Sequence, residues 1–115
     1  MLFRSRDSFA TVTLEDQIDA LEAVLAMYPD RLDSQRVGIR GWSYGGYLSA
    51  LAVLARPDVF RAAVAGAPVT EWTLYDTAYT ERYLGDPRER PEVYRANSLL
   101  PLAGNLRGEI GRAHV

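Results

Sequence analysis

The sequence contains no cysteine, and this excludes disulfide bonds, thiol nucleophiles and metal sites built on cysteine. It also has no run of basic residues: thirteen Lys and Arg stand against fifteen Asp and Glu, for a formal net charge of −2. This balance does not favour a nucleic acid or a membrane surface as partner, and no signal peptide or membrane segment is visible. The localisation stays open, because many exported proteins also lack cysteine and an upstream segment would not be seen.

Strands are scarce as well. Only two segments, residues 36–41 and residues 60–66, have the short apolar or β-branched character of parallel strands. A sheet of two parallel strands would leave long unpaired edges, so we expect the 115 residues to be a truncated part of a larger domain. The predicted fold class is α/β, with a parallel sheet and covering helices.

Glycine surrounds one serine in the stretch GWSYGGY, residues 41–47, which contains the pattern G-x-S-x-G. The first predicted strand precedes this stretch, and an apolar run that ends at a proline follows it, as expected for a buried helix. Strand, sharp turn and helix are the context of a nucleophile elbow, in which Ser43 occupies a strained turn and Gly41 and Gly45 give it room. The N–H of Tyr44 would be one donor to the oxyanion of an acyl-transfer intermediate. The alternative is a glycine-rich turn without chemistry.

An amphipathic helix is predicted before the first strand. Apolar residues recur at steps of four, three, four and three between Leu14 and Tyr28, while the other face is charged. Thr13 and Asp16 have the spacing of an approximate capping box, and Pro29 ends the helix. The acidic residues of this helix fit a solvated face, so we predict no metal site. The order helix, strand, turn, helix is typical of a parallel sheet.

A segment rich in aromatic residues follows the second strand, with steps of three and four between Val69, Trp72, Tyr75, Tyr79 and Tyr83. One interpretation is a helix face that packs on the core. The other is a substrate pocket, because ligands of parallel α/β sheets bind outside the carboxyl ends of the strands, where Ser43 is also expected. The residues alone leave both interpretations open.

Two separate motifs, GWSYGGYL at residues 41–48 and APVTEWTLYDTAYTERYLG at residues 67–85, resemble the catalytic domain of the prolyl oligopeptidase family. Trp42 before the serine and the pattern W-x-x-Y-D-x-x-Y-T-E-R-Y are most similar to the dipeptidyl-peptidase IV branch. The likeness also covers the first helix and the strand VGIRG, and it extends from Thr11 to Leu106. It implies a partial α/β-hydrolase fold, the peptidase catalytic domain, over residues 1–108.

This resemblance implies a serine peptidase that forms an acyl-enzyme on Ser43, uses the Tyr44 N–H as half of its oxyanion hole and needs no cofactor. Its substrates would be peptides that lose an N-terminal dipeptide after a penultimate proline or alanine. Members of the family also carry a β-propeller domain, none of which lies in this sequence. We expect the parent protein to have such a domain and to be a homodimer. The pocket for the proline or alanine would be lined by Val69, Trp72, Tyr75 and Tyr79.

The family's catalytic aspartate and histidine follow the serine, and we interpret neither as present in this chain. The one histidine is His114, one residue from the end. A base must come within about 2.6–3.2 Å of the serine hydroxyl, and a chain terminus is a poor place to hold it there. Asp76 and Asp86 have turn roles instead. We therefore expect the isolated fragment to be inactive.

Two other functions stay open: an acylaminoacyl peptidase or another α/β-hydrolase esterase, and a non-catalytic interaction domain that keeps the elbow only as structure. Residues 109–115 fall outside the resemblance, and with a permitted codon choice they can be back-translated into a sequence that resembles a common short-read sequencing adapter. We expect this segment to be a non-native or disordered tail, unpaired and exposed, with His114 far from Ser43.

Overall fold

The computed structural model describes residues 6–113, and the α/β class predicted from the sequence is confirmed. Helices and strands alternate along the first two thirds of the chain, and short helices follow. The elements in chain order are α1 Thr11–Met27, β1 Gly38–Trp42, α2 Tyr44–Ala55, β2 Ala62–Gly66, a 3-10 helix Trp72–Leu74, α3 Thr77–Leu84, α4 Pro91–Asn97, a second 3-10 helix Leu100–Asn105 and β3 Glu109–Ala113.

The three strands are parallel and lie in the order β1-β2-β3. β1 and β2 pair from Gly38 opposite Ala62 to Trp42 opposite Gly66. The helix α2 connects these two strands and packs against both, as a parallel crossover requires. Because both strands end at the same edge of the sheet, Ser43 after β1 lies beside the end of β2.

The helix α2 forms the centre of the core. All nine residues from Gly46 to Leu54 are buried, which explains why this helix has no polar face. Ala63 and Ala65 of β2 are buried, whereas Val64 between them points to the opposite face of the sheet and is half exposed. Within the described chain, helices therefore cover one face of the sheet. No helix between residues 6 and 113 has the length and apolar character needed to cross a membrane.

The helix α1 begins at Thr11, and the predicted capping box is wrong. Thr13 lies on the face of α1 that packs against α2, where its side chain is buried and its hydroxyl oxygen is 2.9 Å from that of Tyr44. Thr13 therefore does not cap the helix. At the observed N-terminus, Ser8 Oγ accepts a hydrogen bond from the Thr11 N–H at 3.2 Å.

The expectation of an unpaired tail is wrong for residues 109–113, which form β3. This strand pairs with β2 from Glu109 opposite Ala62 to Ala113 opposite Gly66. The free N–H and C=O groups at the edge of β2 need partners, and a main-chain ladder supplies them without any apolar side-chain pattern. The expectation for His114 concerns a position outside the described residues, and the non-native origin of the segment stays a prediction.

Candidate active site

The turn between β1 and α2 consists of Ser43 alone. Its backbone angles, φ 55° and ψ −115°, lie outside the regions that residues with side chains favour. The Ser43 N–H donates to the Gly66 carbonyl at 2.9 Å, and the Ser43 carbonyl accepts from the Tyr47 N–H at 3.0 Å. The sheet on one side and the helix on the other thus hold the strained conformation. The Ser43 side chain is exposed at the carboxyl edge of the sheet.

The glycines around the turn differ in what they permit. A Cβ at Gly41 would collide with the backbone of Gly45, as the elbow pattern predicts. A Cβ at Gly45 itself would meet nothing among the described residues, whereas one at Gly46 would collide with the Gly66 carbonyl on β2. The prediction that Gly45 gives room by its missing side chain is therefore wrong. It is Gly46 that allows α2 to approach β2.

The backbone and the side chain of Tyr44 face different surroundings. Tyr44 is the first residue of α2, where an N–H has no partner inside the helix and the helix dipole adds partial positive charge. Its hydroxyl oxygen lies 2.7 Å from the Phe9 carbonyl and 2.9 Å from Thr13 Oγ1. Burial raises the pKa of Tyr44. The hydroxyl therefore stays neutral near pH 7. The backbone N–H of Tyr44, next to Ser43, can donate a hydrogen bond to an oxyanion.

A small cavity of about 60 Å³ adjoins the exposed serine. The structure brings together around it all six residues predicted for the site, and none of them carries a charge near neutral pH. Partial burial raises the pKa of the Tyr79 hydroxyl, which keeps it protonated. Such a space fits a small apolar group better than a charged one. The lining consists of Ser43, Tyr44, Val69, Trp72, Tyr75 and Tyr79.

The aromatic segment divides between the core and the cavity, and the role of the cavity as a substrate pocket stays a prediction. Trp72 is 1% exposed and belongs to the core, whereas Tyr75 and Tyr79 are each more than a third exposed. The ring of Trp72 meets that of Tyr75 edge to face at 5.8 Å and stacks on that of Tyr79 at 6.2 Å. The segment is not one helix, because Asp76 begins a new one: its Oδ1 accepts from the Tyr79 N–H at 2.8 Å.

Phe9 supports this group of rings and was missed as a site residue by sequence reasoning. Its ring centroid lies 4.4 Å from that of Trp72, 5.6 Å from that of Tyr44 and 6.1 Å from that of Tyr79. The segment before α1 showed no motif, and its partners are distant in sequence, so no periodicity could reveal the contact. We call these five rings the aromatic wall: Phe9, Tyr44, Trp72, Tyr75 and Tyr79.

Histidine, the usual base for a serine nucleophile, is missing from the described residues. No histidine occurs between residues 6 and 113, and His114 lies outside the described residues. Asp76 caps α3, and Asp86 accepts hydrogen bonds from the Arg88 N–H and guanidinium, so both have the turn roles predicted for them. The hydrogen bonds from Arg88 hold the pKa of the Asp86 carboxyl at about 2.

Comparison with known proteins shows the family. Residues 3–110 match the sequence profile of the prolyl oligopeptidase family. Over 101 residues the chain is 46% identical to dipeptidyl peptidase 8 of Mus musculus, an alignment that covers 88% of this chain and 11% of the relative. Over 113 residues it is 46% identical to venom dipeptidyl peptidase 4 of Vespa velutina, with 95% and 14% covered. The chain therefore belongs to the prolyl oligopeptidase family.

A solved structure extends this similarity to the fold. The crystal structure of a dipeptidyl aminopeptidase IV from Bacteroides ovatus superposes with a TM-score of 0.82 at 38% identity, and it covers 88% of this chain and 14% of the other. This likeness confirms the predicted partial α/β fold. The chain spans between 11% and 14% of the length of these three proteins.

Proposed function

We propose that the full-length protein containing this chain is a serine peptidase that releases N-terminal dipeptides after a penultimate proline or alanine. The observation that carries the proposal is one cavity shared by the exposed Ser43 and by uncharged side chains. The names of the relatives, dipeptidyl peptidase 8 and venom dipeptidyl peptidase 4, support the release of dipeptides.

In this proposal, Ser43 Oγ attacks the carbonyl carbon of the scissile bond and forms an acyl-enzyme. The N–H of Tyr44, at the positive end of α2, donates to the oxygen that becomes negative in the tetrahedral intermediate. A base takes the proton of Ser43 and returns it to the departing amine, and water then releases the acyl group. We infer that the base and its orienting aspartate come from parts of the protein outside residues 6–113.

The size and polarity of the cavity support the proposed preference for proline or alanine. A pyrrolidine ring or a methyl group gains burial against Val69 and the faces of Tyr75 and Tyr79 without needing a charged partner. A lysine or glutamate side chain would enter an uncharged space of about 60 Å³ and lose its hydration. The cavity therefore favours small apolar residues before the scissile bond.

The test begins with the full-length protein and a fluorophosphonate probe, which labels only an activated serine. Chromogenic Gly-Pro substrates with a free and with a blocked amino terminus are then compared. We expect labelling at Ser43, together with cleavage of the free substrate and little cleavage of the blocked one.

Other outcomes would identify the alternatives. Preference for the N-blocked substrate would indicate an acylaminoacyl peptidase. Labelling with cleavage of simple esters alone would indicate an esterase. Absence of both labelling and hydrolysis would contradict the proposed function and favour a non-catalytic domain.

A further inference from the structure

One buried amide connects α4 to the segment before α1. Asn97, the last residue of α4, is 2% exposed. Its Oδ1 accepts hydrogen bonds from the Phe9 N–H at 2.7 Å and the Ala10 N–H at 3.2 Å. Its Nδ2 donates to the Val93 carbonyl at 2.8 Å and the Asp7 carbonyl at 3.3 Å. Because both donors and both acceptor positions are used, the amide fixes the path of the backbone through Phe9.

Phe9 is held through both of its backbone polar groups. Asn97 binds its N–H, and the Tyr44 hydroxyl donates to its carbonyl at 2.7 Å. The ring between these two anchors contacts Trp72 at 4.4 Å and Tyr79 at 6.1 Å between centroids. A displacement of the Phe9 backbone would therefore move the rings that line the cavity.

Asn97 reaches the aromatic wall by a second route. Its backbone carbonyl accepts a hydrogen bond from the Tyr47 hydroxyl at 2.9 Å. The ring of Tyr47 packs edge to face against Trp72, with centroids 5.2 Å apart. Ring packing, together with an interaction between the Tyr47 hydroxyl and the Trp72 side chain, holds this ring. Phe9 and Tyr47, both bound to Asn97, thus hold Trp72 in place.

We propose that Asn97 is a positioning residue for substrate specificity: acting through Phe9, it sets the shape of the cavity that receives the residue before the scissile bond. The inference rests on the proposed peptidase function and assigns a role within that site. Ser43 is held by separate hydrogen bonds to Gly66 and Tyr47, so its reactivity does not depend on the Asn97 side chain. Substrate affinity and serine reactivity should therefore respond differently to changes at Asn97.

The experiment uses the full-length protein and four variants: Phe9→Leu, Asn97→Ala, Asn97→Asp and Tyr94→Phe. For each, KM and kcat are measured with a free-amine Gly-Pro chromogenic substrate, and the rate of fluorophosphonate labelling is measured alongside. Melting temperatures ensure that every assay is made on folded protein. Tyr94→Phe is the matched control, because it removes a hydrogen bond from α4 to the Gly85 carbonyl without touching Phe9.

Asn97→Ala and Phe9→Leu should raise KM about tenfold, as expected for one lost anchoring interaction. Their kcat and labelling rates should stay within about threefold of the wild type. The lost interaction stabilises the bound substrate and the transition state equally, so its loss raises KM and leaves kcat unchanged. Asn97→Asp should raise KM less than Asn97→Ala does. Its carboxylate still accepts the Phe9 and Ala10 N–H groups, but it loses both donors, and its second oxygen faces the Val93 and Asp7 carbonyls. Tyr94→Phe should leave KM unchanged.

Several results would overturn the inference. If the wild type is active and Asn97→Ala leaves KM unchanged, Asn97 has no positioning role, and the proposed peptidase function still stands. Equal increases in Asn97→Ala, Asn97→Asp and Tyr94→Phe would mean that α4 contributes only stability. If Asn97→Ala does not fold, Phe9→Leu and Asn97→Asp decide together, and the inference is contradicted unless KM rises in both while kcat and the labelling rate stay within about threefold of the wild type. A wild type that neither labels nor releases dipeptides refutes the proposed function and this inference with it.

Discussion

The two halves of the candidate site are held by different means. The elbow, residues 41–47, is one contiguous stretch whose shape follows from backbone contacts, Gly41 against Gly45 and Gly46 against β2. The aromatic wall comes from three separate segments of the chain, and ring packing together with one remote amide holds it. The elbow therefore depends on backbone contacts within itself and with β2, and the wall depends on side chains from distant parts of the fold.

Because the two regions are held by different contacts, we expect the reactivity of Ser43 and the selectivity of the cavity to change independently. A substitution in the wall can change which side chain fits the cavity while the turn at Ser43 keeps its geometry. A substitution in the elbow changes Ser43, the proposed nucleophile, or the turn that holds it, whatever the proposed pocket binds. Variants from each region should consequently differ in which of two assays they affect, covalent labelling or substrate affinity.

The largest effect is expected in the elbow, from Ser43→Ala in the full-length protein. The loss of kcat should be on the order of 10⁶-fold, because members of a catalytic triad act as a unit. Dipeptide release and fluorophosphonate labelling should both disappear. Ser49→Ala is the matched control, since this buried serine of α2 bonds the Gly45 carbonyl at 2.7 Å and is not at the cavity. Turnover that survives Ser43→Ala would remove Ser43 from the mechanism.

Two adjacent glycines provide the next test of the elbow. Gly46→Ala places a methyl group against the Gly66 carbonyl, so we expect a destabilisation of about 1–3 kcal/mol and slower labelling as α2 is pushed from β2. Gly45→Ala places the same methyl group in open space, and stability should change by less than about 1 kcal/mol. Urea denaturation and labelling rates measure both. If Gly45→Ala proved the more damaging variant, this assignment of the close contact would be wrong.

Sequence reasoning predicted the elbow well, because the pattern depends on residues a few positions apart. Ser43, Gly41 and the strand and helix around them follow from local sterics and hydrophobic periodicity. The error concerned Gly46, whose contact lies on β2 and is invisible to a local pattern. β3 was missed for a related reason, since a main-chain ladder at a strand edge needs no side-chain pattern.

The aromatic wall could be predicted only in part. The spacing of Trp72, Tyr75 and Tyr79 fits a core face and a pocket equally well. Only the folded chain, with a new helix after Asp76, shows that Trp72 is buried while the two tyrosines are partly exposed. Phe9 and Asn97 are 88 residues apart, so their contact exists only once the chain is folded.

In the wall, Tyr75→Ala should raise KM for Gly-Pro substrates by about tenfold, because the proposed pocket loses an aromatic ring that would contact the substrate. Labelling of Ser43 should change by less than about threefold, since the elbow is untouched. Tyr28→Ala is a suitable control: Tyr28 is 46% exposed against 40% for Tyr75, but it follows α1 and does not line the cavity. Equal losses of labelling and affinity in Tyr75→Ala would indicate a collapsed core rather than an altered pocket.

The smallest effect is expected at Tyr44, where the two regions meet. Its N–H belongs to the elbow, and its hydroxyl bonds the Phe9 carbonyl and Thr13. Tyr44→Phe removes the hydroxyl and keeps both the ring and the N–H. Labelling of Ser43 should therefore stay within about twofold of the wild type, because the proposed oxyanion donor is a backbone group. Stability near pH 8 should fall by about 0.5–1.5 kcal/mol, the usual net contribution of a hydrogen bond.

The difference in stability between the wild type and Tyr44→Phe should depend on pH, and this dependence gives a sharper test. Burial raises the pKa of Tyr44 above its ordinary value, so the unfolded chain loses the proton first as the pH rises. The stability that the protonated hydroxyl contributes is fully present below pH ~10 and is lost as the pH rises through the folded-state pKa. Urea denaturation at pH 8 and pH 11 should accordingly show a gap between wild type and Tyr44→Phe that shrinks at the higher pH. Tyr28→Phe, at an exposed tyrosine, should show no such gap at pH 8. A stability gap that stays constant between the two pH values would contradict a buried, protonated Tyr44 hydroxyl. A loss of Ser43 labelling in Tyr44→Phe would contradict the separation of the elbow from the wall.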